Sequence, residues 1–182
     1  MRRIAVIHAG WGSRDLAKKL LDAVRETDQV ISSGRVISVM DLVPSMGRAL
    51  VGEAWDPPLH EARRTTAAAD GLIAVTPIVH GAYSGPFKSF VDLMGTATLA
   101  GKPVLIAACG GTQRHCLALE HVVRPLFVCL RCVVLPTAVY ATSEEVDSTG
   151  IGERIARAAH ELVDQMAAPC AGARPTAVVG GA

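Results

Sequence analysis

The chain has 182 residues, carries a formal net charge of +1, and is 50% hydrophobic but only 4% aromatic. A chain of this length suits one domain, which buries about 70% of its unfolded surface without staples, here in a core of Val, Leu, Ile and Ala. The near-zero charge leaves no electrostatic footprint for nucleic acid or a membrane surface. The apolar run after Arg2-Arg3 is too short for a signal peptide or a membrane span. Five cysteines, an odd number, point to free thiols in a reducing cytoplasm.

Ile4-Ala5-Val6-Ile7 reads as a strand buried on both faces. The loop His8-Ala9-Gly10-Trp11-Gly12 leads to Ser13, the expected N-cap of a helix with Leu16, Leu20, Leu21 and Val24 on one face. Val36 to Met40 reads as a second strand, and residues 41–57 as irregular chain with at most a short helical turn. Asp56-Pro57-Pro58 looks like a cap with Pro at the first helical position, starting a helix to about Ala69. A third strand, Leu72 to Val75, is expected to stop at Thr76-Pro77, because Pro cannot donate to a ladder. A small-residue loop, His80 to Gly85, precedes apolar residues at helical spacing, Phe87, Phe90, Val91 and Met94.

Val104 to Ala108 makes a fourth strand, ended by Cys109-Gly110-Gly111-Thr112, which is expected to cap a long helix. Cys116, Leu119, Val123, Phe127 and Leu130 form the buried stripe of that helix, and Pro125 inside it predicts a kink or bulge. Val133-Val134-Leu135 begins a fifth strand. Thr142-Ser143-Glu144-Glu145 resembles a capping box, and Ile151, Ile155, Ala159, Leu162 and Met166 mark the last helix. The Pro/Gly-rich residues 168–182 read as a flexible tail, leaving residues 1–167 as the domain.

Strands that alternate with helices predict an α/β fold with parallel strands and right-handed crossovers. The expected architecture is a flavodoxin-like three-layer sandwich with a five-stranded sheet in the order 2-1-3-4-5. That order sets the ends of the first, third and fourth strands side by side, so loops 8–13, 76–85 and 109–115 would share one site. The first loop abuts a helix N-terminus, where a phosphate could rest with help from the Ser13 hydroxyl and the Arg14 guanidinium. The alternative is that Ser13 only caps and Arg14 is only solvated. The other two loops are rich in Gly, Ala, Ser and Thr, so their backbone groups could grip the edge of a flat heterocycle. Ordinary turn chemistry is the alternative there, weighed against the convergence of both loops at neighbouring strand ends.

Residues 69–94, ADGLIAVTPIVHGAYSGPFKSFVDLM, and 99–127, LAGKPVLIAACGGTQRHCLALEHVVRPLF, resemble the NAD(P)H-dependent FMN reductases of flavodoxin-like fold. The nearest branch supplies reduced FMN to luciferase-like and alkanesulfonate-type monooxygenases. Thr76-Pro77 with Ser84-Gly85 and Lys88 carries the first motif; Gly101-Lys102, Gly110-Gly111-Thr112, His115 and Arg124-Pro125 carry the second. The resemblance implies that Thr76, Pro77, Ile78, Val79, His80, Gly81, Ala82, Tyr83 and Ser84 line the isoalloxazine site. It implies the same of Cys109, Gly110, Gly111 and Thr112, and gives Ser13 and Arg14 the phosphate. It further implies hydride transfer from a nicotinamide to the flavin without an indispensable side-chain acid, a cytoplasmic homodimer or homotetramer, and a monooxygenase as acceptor. The chain departs from the family pattern in its shorter first loop, in bulky Trp11, in Asp15 within the first helical turn, and in His80.

Other readings compete. Gly10-x-Gly12 after a strand suggests a Rossmann dinucleotide site, but Asp15 stands where the third glycine belongs. An NAD(P)H-dependent quinone or azo reductase would use the same fold and flavin. His8, His80 and His115 fall at strand ends near Cys109 and could form an open Zn²⁺ site. Cys129-x-x-Cys132 reads as two buried thiols rather than a redox or zinc pair. A degenerate member with weak or lost FMN binding, serving as a metal-binding or partner-binding protein, is the remaining alternative.

Overall fold

A computed structural model describes residues 2–10, 12–28, 31–142 and 144–168. Trp11, Ser143 and the expected tail beyond Ala168 lie outside the described residues. The central sheet contains β1 (Arg2–His8), β2 (Ile31–Ser38), β3 (Gly71–Val79), β5 (Pro103–Gly110), β6 (Val133–Val134) and β7 (Val139–Thr142). Its order is β2-β1-β3-β5-β6, with β7 also on β5 and the short β4 (Ala82–Tyr83) on β3. All pairings are parallel except β3 with β4. With β6 and β7 taken as one interrupted fifth strand, this is the expected flavodoxin-like order.

Alternate strand residues feed two cores, as a period of two requires. Ile4, Val6, Ile73 and Leu105 join a core with Leu16, Leu20, Leu21 and Val24 of α1 (Ser13–Thr27) and with Ile155, Ala159 and Leu162 of α6 (Thr149–Ala167). Ala5, Ile7, Leu72 and Ile106 join the other. That core is closed by α2 (Val43–Leu50), α3 (Pro57–Ala68), α4 (Gly85–Leu99) and α5 (Arg124–Cys129). Phe87, Phe90 and Phe127 are fully buried there, with Phe87 and Phe127 edge to face at 6.2 Å.

Several elements depart from the sequence expectations. The second strand overlaps the expected Val36–Met40 but starts earlier, at Ile31, and ends at Ser38, with Gly34 inside it: a Cβ there would sit 2.4 Å from Leu21 Cδ1. The glycine is a close approach of α1 to the sheet, not a breaker. A 3-10 turn, Val39–Leu42, takes Val39 and Met40 out of the expected strand, and the stretch expected to be irregular then holds α2. Asp56 caps α3 as expected, accepting from Leu59 N–H at 3.2 Å. It also accepts from the Ser45 hydroxyl at 2.6 Å and pairs with Arg48, tying α2 to α3.

The third strand does not stop at Pro77. Pairing with β1 ends at Val75, while β5 continues beside Pro77, so the missing N–H falls where the strand has lost one neighbour. The long fourth helix is broken into a 3-10 turn (Gln113–His115), a π-helical stretch (Leu119–Val123) and α5. The π turn ends at Val123, two residues before Pro125, and is the bulge that residue predicts. The fifth strand breaks at Pro136 and resumes as β7; the Arg124 guanidinium donates to the carbonyls of Leu135 at 2.8 Å and Pro136 at 3.1 Å. Thr142 and Glu145 do bond as a capping pair, but α6 starts later, capped by Ser148 on Ile151 N–H at 3.4 Å. Among the described residues no helix is long and apolar enough to cross a membrane.

Candidate functional site

The carboxyl ends of β1, β3, β5 and β7 open onto one cleft of about 630 Å³. Its lining comes from Gly12, Asp15 and Leu16, from Pro77 to His80, from Cys109 to Gly111, and from Ala141, Thr142 and Val146. Open α/β sheets place ligands at this crevice, where crossovers leave for opposite faces. The volume lies within the roughly 300–1,000 Å³ that small-molecule sites occupy.

One wall is the end of β3. After Val79 the chain turns back through His80 and Gly81, with φ of 50° and 85°. Both central residues of the turn are left-handed, as a two-residue type I′ hairpin needs. Thr76 anchors the foot of this hairpin: its buried hydroxyl donates to Pro77 O at 3.1 Å and accepts from Ser84 N–H at 3.2 Å. Ser84 Oγ is itself buried without a hydrogen-bond partner.

The facing wall is the end of β5. Cys109 pairs across the sheet with Pro77, and burial pushes its thiol up to about 11, the reverse of a reactive thiolate. Gly110 lies against Tyr140, whose hydroxyl donates to Thr112 O at 2.6 Å and fixes the turn. A Cβ on Gly110 would lie 2.2 Å from that hydroxyl oxygen. Gly111 has nothing within 4 Å of its would-be Cβ, so backbone lies open to the cleft. Leu16, Ile78, Val79, Ala141 and Val146 add apolar side chains to the lining, and Asp15, His80 and Thr142 its polar ones. Apolar walls and uncovered backbone suit a flat heteroaromatic ring.

The third side is the start of α1, and here the geometry differs from expectation. Ser13 is not the N-cap; Gly12 is, at φ 76°, with no side-chain cap bond. Ser13 is fully buried, its N–H and hydroxyl both donating to Gly10 O. Arg14 is exposed and outside the lining, whereas Asp15 is in it. His8, behind this loop, is buried and its pKa is lowered, chiefly by desolvation and then by Arg14, with Asp41 opposing. Its Nδ1 has no hydrogen-bond partner.

Of the residues singled out in the sequence, Pro77, Ile78, Val79, His80, Cys109, Gly110 and Gly111 converge on the cleft. Thr76 and Thr112 support it from behind, and Gly81, Ala82, Tyr83 and Ser84 build the hairpin without lining it. Ala141, Thr142 and Val146 escaped the sequence reading, since β7 resumes only after Pro136. Continuing the fifth strand past that residue puts Thr142 beside Gly110, their register in the sheet. Among the described residues no three His, Cys, Asp or Glu side chains could hold a metal ion, so His8, His80 and His115 do not form the Zn²⁺ alternative. Cys129 is exposed, contrary to expectation; Cys132 is half-buried, donates to Leu99 O, and is pushed up to about 12 by burial.

Fold and cleft together define a flavodoxin-like α/β protein with an open cleft at its strand ends. A family model for NADPH-dependent FMN reductase matches residues 2–147. The chain belongs to that family, oxidoreductases that use FMN and a nicotinamide. It is 35% identical over 140 residues to an FMN reductase (NADPH) of Pseudomonas aeruginosa, covering 77% of this chain and 75% of that one. It is also 35% identical over 133 residues to the NADH-dependent FMN reductase SfnE of Pseudomonas putida, covering 70% and 72%. An oxidoreductase structure from Corynebacterium diphtheriae superposes with a TM-score of 0.86 at 34% identity, covering 92% of this chain and 97% of that one.

Proposed function

We propose that this chain reduces FMN with NADH or NADPH in the cleft between Pro77–His80 and Cys109–Gly111, and passes the reduced flavin to a separate monooxygenase. What carries the reading is the convergence of those two segments on one cleft, mostly apolar, in a chain of this family. When bound, FMN supplies the hydride-accepting chemistry, so no side-chain acid or base is required of the chain. Ile78, Val79 and Leu16 would shield a bound ring from water, and the Gly110–Gly111 backbone would be available to hold it. The uncharged Cys109 thiol adds no competing nucleophile. The reading extends to a cytoplasmic reductase domain over residues 1–167, working as a homodimer or homotetramer.

The test follows the nicotinamide absorbance band of pure protein with NADH or NADPH. The reading predicts oxidation that depends on added FMN and continues through many turnovers in air, as reduced flavin leaves and is reoxidised. Absence of FMN-stimulated oxidation with either nicotinamide would overturn it.

A further inference from the structure

We propose that Asp15 makes this cleft select its flavin by the ring and not by the phosphate, so that riboflavin binds about as well as FMN. The inference rests on the flavin-reductase reading and concerns the side of the cleft formed by the start of α1.

A phosphate grip needs donors aimed at the anion. Only Ala9, Gly10, Trp11 and Gly12 separate the end of β1 from the start of α1. The Ser13 hydroxyl and N–H are both spent on Gly10 O, and the residue is fully buried. Arg14 is exposed and does not line the cleft. From this helical turn Asp15 and Leu16 line the cleft, so the charged group it contributes there is a carboxylate. An acidic residue in the first turn already complements the positive end of the helix, the service a phosphate would otherwise perform. A phosphate brought there would meet a like charge. His8 behind the loop is held toward its neutral form by burial and lends no compensating cation. The other walls carry no carboxylate: they are Pro77, Ile78, Val79 and His80 on one side and Cys109, Gly110 and Gly111 on the other.

Two opposed signs follow. A cradle would bind FMN tighter than riboflavin and weaken with salt. A carboxylate at the mouth removes the preference, and salt then screens a repulsion. Quenching of flavin fluorescence gives Kd for each flavin without nicotinamide or turnover. The expected result is wild-type Kd values for FMN and riboflavin within about fivefold of each other, with FMN binding that tightens as salt rises. Asp15→Asn should shift the FMN-to-riboflavin ratio toward FMN by about two- to fivefold. Asp22→Asn, on the same helix but away from the cleft, should leave the ratio where it was. A wild-type preference for FMN beyond about fivefold, or an Asp15→Asn ratio equal to the wild type's, would overturn this inference alone. A large loss of FMN binding in Arg14→Ala with riboflavin untouched would do the same. Failure of both flavins to bind the wild type would overturn the reductase reading and this inference with it.

Discussion

Gly110 shows how little room the ring wall has. A methyl group there would overlap the Tyr140 hydroxyl, and that hydroxyl holds Thr112. Gly110→Ala must therefore shift either the tyrosine or the turn, at about 1–3 kcal/mol of overpacking. The expected outcome is a lowered Tm and a drop in kcat/KM for FMN of about tenfold or more, since small displacements of a positioning group are costly. Adding Tyr140→Phe removes the atom in the way, so the double variant should recover part of the Tm loss. If the double variant is no more stable than Gly110→Ala, the overlap is not the cause. Thr76 is the matching point on the other wall. Thr76→Val keeps the shape but leaves the Ser84 N–H without its acceptor, which should cost about 1–3 kcal/mol, a few degrees in Tm. Residues on both walls were legible in the sequence because their motifs are local: Thr76-Pro77 before Ser84-Gly85, and Gly110-Gly111-Thr112. Asp15 could be named, but not its aim into the cleft, since its neighbours on the helix surface are fixed only once α1 lies on the sheet.

At the scale of elements, Asp56 is the clearest junction. One carboxylate caps α3, accepts from Ser45 and pairs with Arg48, and so fixes α2 against α3. Those hydrogen bonds, Ser45 first, hold its pKa below the ordinary 3.8. A depressed folded-state pKa gives stability that is present above the unfolded value and lost as pH falls through the folded one. Asp56→Ala should therefore lower Tm at neutral pH, and the gap from wild type should close below about pH 3.8, as the wild-type carboxyl takes up its proton. An equal gap at neutral and strongly acid pH would contradict this account. Helix starts such as this were legible from side-chain chemistry at fixed spacing. Strand ends were less so: Pro77 and Pro136 look alike as breakers. One sits inside a continuing strand that has lost a neighbour, and the other divides β6 from β7. The partner strand decides, and it is remote in sequence.

For the whole molecule, the order of the strands places the cleft. Apolar strands alternating with helices predicted the parallel sheet and its order, and that order predicted which loops meet. The sequence did not reveal that β7 supplies a further side to the cleft, because its register against β5 depends on a break at Pro136. The central claim, that FMN is held between the ends of β3 and β5, is tested most directly by amide hydrogen exchange with and without FMN. Slowed exchange concentrated at residues 78–83 and 109–112 is the predicted result. Protection confined to a different surface, such as the groove lined by Arg3, Arg35 and Arg64, would contradict it.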